Sequence, residues 1–162
     1  MDLGQFFTSA DLIGIAPEII LTITALSILT LEMFRVSRTG IILLVAAIGL
    51  LLAVGTAVNI GGDKQFLFGG MLVFSRFSVF FDFLYISIGL VTLIFSQGYL
   101  EKRGSASRGE YPALILFAVI GMMLMTKAND LVIVFLGLEL LSLSLYILVG
   151  FLRQNQLSNE SG

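Results

Sequence analysis

Residues 40–60 read GIILLVAAIGLLLAVGTAVNI, 21 consecutive positions without a charged side chain. Coiled as a helix at 1.5 Å per residue, such a run spans about 30 Å, the thickness of a bilayer's hydrocarbon core. The rest of the chain is of the same character. Hydrophobic residues make up 57% of the 162 positions and charged residues 12%, with a mean hydropathy of +1.03. Soluble domains carry roughly 25% charged residues, so a soluble domain of this composition would expose large apolar patches. Lipid is the solvent that fits. Inside lipid every backbone polar group needs a partner within its own element, which leaves helices and closed barrels. Barrel-length alternation is absent from the sequence, so the expected class is an all-α integral membrane bundle.

Working outward from 40–60, four further stretches are long enough to cross, at about 12–31, 78–99, 111–126 and 131–152. Together they predict about five transmembrane helices in a single membrane domain. Pro17 lies near the start of the first, where a proline is tolerated because that N–H has no helical partner. Span 111–126 is the shortest, with 16 uncharged residues, and asks for snorkelling flanks or a thinned bilayer. A turn at Gly61-Gly62-Asp63-Lys64 leads into a mixed segment ending at Phe74, read as an interfacial stretch or a short hairpin. A second tight turn, Lys127-Ala128-Asn129-Asp130, joins the last two spans. No basic region precedes the first span, so it is expected to stay in the membrane. Arg35, Arg38, Lys102, Arg103, Arg108 and Arg153 fall on one side, against Lys64, Arg76 and Lys127 on the other. That bias predicts an outer N-terminus and a cytoplasmic C-terminus.

Composition also excludes chemistry. With no cysteine and no histidine, the chain carries no thiolate-held iron–sulfur cluster, no disulfide and no imidazole base. A net charge of −2 and scattered basic residues argue against a nucleic-acid partner. No phosphate loop, metal-ligand cluster or hydrolase triad is present in the sequence. Any redox step is expected on other polypeptides.

What remains is a small set of acids within apolar runs. Glu139 lies nine residues into its span, near the expected midplane. An ionisable group there costs roughly 3 kcal/mol on insertion scales, so its presence points to function. The structural alternative is a protonated carboxyl that glues two helices together. Ser142 and Tyr146 follow at three and seven residues, on the same helical face, a polar stripe expected to line a pocket. Lys127 is twelve residues before Glu139, on the order of 18 Å along a continuous helix. A cationic partner for Glu139 is therefore expected from outside these 162 residues. Glu18 and Glu32, at opposite ends of the first span, are expected to be solvated by headgroups, and Asp82 to reach the interface. Gly121, Met122, Met123 and Met125 read as helix packing.

The stretch NDLVIVFLGLELLSLSLY at 129–146 closely resembles the fifth helix of subunit N of bacterial NADH-quinone oxidoreductase, or respiratory complex I. Pro17-Glu18-Ile19, the segment from Ser96 to Leu100, Glu110-Tyr111 and Gly121-Met122-Met123-Leu124 resemble other parts of the same family, so the likeness covers nearly the whole chain. One departure is Ser75, where the resemblance leads one to expect an aspartate ahead of helix three. Another is that Ser158-Asn159-Glu160-Ser161-Gly162 enters the family's next segment, with the lysine-bearing helices expected beyond it.

The resemblance implies an antiporter-like fold of about fourteen helices, of which this is the first part. It implies a multi-pass protein of the bacterial inner membrane that takes part in proton translocation coupled to quinone reduction. Glu139 would be its relay carboxyl, acting with lysines on later helices, and Ser142 and Tyr146 would line its pocket. No cofactor is implied on this chain; quinone, FMN and iron–sulfur clusters would sit on other subunits. The implied partners are the bilayer, the other membrane subunits of the complex and the remaining helices of the fold. A related cation/proton antiporter subunit shares the helix-five glutamate and is the alternative reading; a scaffold fragment of either is a third.

Overall fold

Proline at position 17 decides where the first long helix begins. In the computed structural model, which describes residues 9–34, 39–60, 64–102 and 109–159, a short helix α1 (Ser9–Gly14) breaks at Ile15 and α2 (Ala16–Met33) starts just ahead of the proline. Pro17 donates no N–H, and its ring would clash with the carbonyl four residues back, so one continuous helix from residue 12 is disfavoured. Hydropathy alone places the start near Leu12; backbone chemistry moves it to Ala16. Helices α3 (Thr39–Asn59), α4 (Arg76–Lys102), α5 (Glu110–Lys127) and α6 (Leu131–Asn159) follow. Five of the helices, α2 to α6, are long and apolar enough to cross a membrane. The fold is the expected all-α membrane bundle.

Short side-chain caps set two of these boundaries. Ser75 and Ser78 exchange hydrogen bonds at the start of α4, the Ser75 N–H donating to Ser78 Oγ at 2.9 Å. Asp130 Oδ1 accepts from the Val132 N–H at 2.8 Å and so caps α6. The residue that departs from the family expectation, Ser75, thus has a structural task of its own.

Helix α5 sits at the centre, packed against α2, α3, α4 and α6. It is the shortest uncharged run in sequence yet the most enclosed span, 56% buried against 11% for α6. Small residues permit this. A Cβ on Gly121 of α5 would stand 2.7 Å from the Gly137 carbonyl oxygen of α6, so the two backbones are nearly touching. The packing role expected of Gly121 is therefore specific to the α5–α6 contact. Leu21, Ala25, Leu50, Ile86, Leu116 and Met123 contribute to the core between the other helices.

The segment between α3 and α4 is the short hairpin of the two outcomes expected. Strands β1 (Gln65–Leu67) and β2 (Leu72–Phe74) pair antiparallel, with Leu67 opposite Leu72. Their connection carries three successive positive φ angles, at Phe68, Gly69 and Gly70. Glycine adopts these freely, but Phe68 does not. Its N–H is held by Asp11 Oδ1 at 2.8 Å. On the other side, Asn129 donates its backbone N–H to Met71 O and its side-chain amide to Gly70 O, at 2.9 and 2.7 Å. The hairpin is thereby tied to both the first helices and the α5–α6 turn, and it buries Leu67, Leu72 and Phe74 among Ile15, Ile60, Val79 and Ile133.

Candidate functional site

Three charged residues that are far apart in sequence converge beneath this hairpin. Glu18 enters from the first turn of α2, Asp82 from the second turn of α4, and Lys127 from the last turn of α5. The Lys127 ammonium lies 2.6 Å from Glu18 Oε1 and 2.8 Å from Asp82 Oδ2. Side-chain exposure is 0% for Lys127 and Asp82 and 6% for Glu18, so water does not screen these charges. The ring of Phe74, itself fully buried, lies 5.4 Å from Lys127 Nζ and adds a cation–π contact. Lys127 also stands at the C-terminal end of α5, where the helix dipole favours a cation. Next to the cluster, Tyr85 and Thr126 join α4 to α5 through a 3.0 Å hydrogen bond between their hydroxyls.

Three expectations are corrected here. Glu18 is not bathed by headgroups: an alternative partner, Lys127, is within reach and solvent is not. Asp82 does not climb to the interface, because its helix turns that face toward α5. Lys127 is not a loop cation; it ends α5 and is wholly enclosed. Glu32, at the other end of α2, is only half-buried and packs close to Gly109. Arg35, Arg38, Arg103 and Arg108 lie outside the described residues.

Arithmetic gives the cluster its character. Two carboxylates face one ammonium, an excess of one acid. Glu18 Oε2 and both carboxylate oxygens of Asp82 are buried without a hydrogen-bond partner, Asp82 Oδ2 meeting Lys127 as an ion pair only. Sequence reasoning missed this site because each member sits near a helix end, where solvation is the ordinary outcome. The available signal was that one lysine and two acids all fall toward the same end of the predicted bundle.

The stripe predicted from sequence has a different setting. Glu139 and Ser142 are half-buried on α6, and Tyr146 is 73% exposed. The buried serine of this helix is Ser144, which donates to the Leu140 carbonyl of its own helix at 2.7 Å. Among the described residues, Glu139 makes neither an ion pair nor a hydrogen bond through its side chain. From Leu131 to Glu139 is about 12 Å along the helix axis, so the carboxyl lies well inward of the charge cluster. Among the described residues no group of three or more acids could hold a metal ion. A groove of about 290 Å³ between α3 and α4, bordered by the apolar side chains of Leu43, Ala47, Leu90 and Ile94, touches neither site.

No protein-family model matches the chain. Individual proteins do. It is 35% identical over 163 residues to NADH-quinone oxidoreductase subunit N of Trichlorobacter lovleyi, covering 100% of this chain and 33% of the relative. The subunit N of Rhodospirillum rubrum is 39% identical over 150 residues, 90% of this chain and 30% of that protein. In Koribacter versatilis, subunit N 1 reaches 48% identity over 94 residues, 58% of this chain and 18% of the relative. The chain spans about a third of the length of the curated relatives it matches. The resemblance first carried by residues 129–146 extends over the entire chain.

Proposed function

We propose that this chain, similar from end to end to part of NADH-quinone oxidoreductase subunit N, works as the corresponding part of a membrane-arm subunit that moves protons while other subunits reduce quinone. Glu139 is the relay carboxyl in this reading. The observation that supports it is the isolation of that side chain: an acid deep in an apolar helix, half-buried, with no partner among the described residues. Placing it there costs several kcal/mol of insertion energy that a structural role does not repay when nothing is bonded to it. Helix α6 packs on α5 and leaves Phe135, Leu138, Leu143 and Tyr146 exposed, so a further helix carrying a cation has room to meet Glu139. Ser142, three residues on, lies beside it on the same face and would help hydrate the path.

The membrane is the bacterial inner membrane in this reading, with the N-terminus outside. Six basic residues lie on the cytoplasmic side of this topology against Lys64, Arg76 and Lys127 on the other. A periplasmic signal from a reporter placed after residue 153 would reverse the topology.

The decisive test is Glu139→Gln in the full-length subunit, assembled in its complex and measured in proteoliposomes. Proton translocation is expected to fall by about 10²-fold, the low end of what a positioned proton-transfer group contributes, with complex abundance unchanged. Normal pumping would remove Glu139 from the path. Lost abundance with normal pumping per complex would favour helix–helix glue.

A further inference from the structure

We propose that Glu18, Asp82 and Lys127 form a second proton-binding site, separate from Glu139, in which the two carboxylates hold one exchangeable proton against the single lysine ammonium. A purely structural ion pair needs one acid. Here Lys127 meets two, at 2.6 and 2.8 Å, and all three side chains are shut away from solvent. The cluster without a proton carries one uncompensated negative charge in a medium where such a charge is at its most unfavourable.

Among the described residues, nothing else nearby supplies the missing positive charge. Helix α3 has no charged residue, and β2 presents only the Phe74 ring. Arg76 at the start of α4 is exposed, and Lys64 is exposed beside the Phe66 ring. Asp11 of α1 adds a carboxylate that is occupied by the hairpin, and Glu139 of α6 lies deeper along its helix. Glu18 Oε2 and Asp82 Oδ1, the two oxygens not in contact with Lys127, are buried and without a hydrogen-bond partner, and Asp82 Oδ2 has only its ion-pair contact. An O–H on either carboxyl removes the surplus charge and turns an orphaned acceptor into a donor.

The smallest cation fits best. A metal ion of ordinary size collects about six oxygen ligands. The two carboxylates offer four, of which Glu18 Oε1 and Asp82 Oδ2 are already taken by Lys127. In the binding step a hydronium gives its proton to a carboxylate oxygen, one O–H bond forms, and water leaves. The hairpin lies over the cluster and is held by side chains from α1 and the α5–α6 turn, which places the point of exchange at that end of the bundle.

The inference depends neither on Glu139 nor on pumping, so its test can fail while the proposed function stands, and the reverse. The whole chain in lipid nanodiscs is examined by infrared difference spectroscopy as pH is lowered. A neutral-carboxyl C=O band equivalent to one proton is expected, slow to shift in D₂O. Asp82→Asn and Glu18→Gln should each abolish it, and Glu139→Gln should leave it in place. Lys127→Met should raise it to two protons, since neither acid then has a cation. An Asp82→Asn spectrum identical to that of the parent overturns the proposal and leaves a structural ion pair. If neither acid variant folds, the parent decides alone: no slowly exchanging neutral-carboxyl band at any pH where the fold persists is a refutation. Suppression of the band by sodium chloride but not choline chloride would assign the site to sodium and overturn the proton assignment.

Discussion

Glu139 and the Glu18–Asp82–Lys127 cluster are two answers to one problem, how to keep an acid in oil. The cluster solves it internally, with an ammonium drawn from a third helix and a strand folded over the top. Glu139 has no such provision among the described residues and stays half-exposed on a helix that packs on one neighbour. A group given a counter-charge inside the bundle helps to hold the bundle together; one without it looks outward. The same residue type thus ties helices together around a lysine in one place and, in the proposed function, stands ready to relay protons in the other.

The widest separation between the two regions should appear in stability. Lys127→Met strands two buried carboxyls and is expected to destabilise the bundle by about 3–5 kcal/mol, the range for breaking a buried pair from one side. Denaturant unfolding in detergent would measure it, and a loss below 1 kcal/mol would mean that the cluster is not enclosed as described. Next comes the close contact on which α6 depends. Gly121→Ala should cost about 1–3 kcal/mol, because its methyl would press on the Gly137 carbonyl and the Leu141 N–H with little room to relax. Cross-linking yield between α5 and α6 should fall with it.

A smaller effect is expected at the lid. Asn129→Ala removes the bond to Gly70 O and should weaken the hairpin by about 0.5–1.5 kcal/mol. Hydrogen exchange at the amides of 66–73 should quicken while α2 and α5 stay protected; unaltered exchange would show that the backbone bond to Met71 suffices. Smallest of all, Glu139→Gln should change stability by no more than about 0.5 kcal/mol, since it breaks no bond made within these residues. A large loss there would erase the contrast and make Glu139 structural.

How much of this was legible beforehand follows from the distance over which each property is decided. Spans such as 40–60 are determined by twenty neighbouring side chains, and sequence displays neighbours. Glu139 was visible for the same reason, an acid flanked by leucines. The cluster is decided between residues 109 positions apart, Glu18 and Lys127, and nothing local marks them as partners. Polarity near a helix end reads as solvation, which is the commoner fate, so Glu18 and Asp82 were assigned to the headgroup region and Lys127 to a turn. The start of α2 moved for a different reason, since hydropathy is blind to the missing N–H of Pro17. In the α6 stripe, helical spacing placed Ser142 and Tyr146 on one face, but which way that face turns was settled by the glycine contact with α5.

That separation of 109 residues also imposes a schedule. During synthesis Glu18 and Asp82 both leave the ribosome before Lys127, so the counter-charge is the last member of the cluster to be made. The order of synthesis thus makes completion of the cluster a late event, with the turn bearing Asn129, which holds the strand hairpin, made just after Lys127.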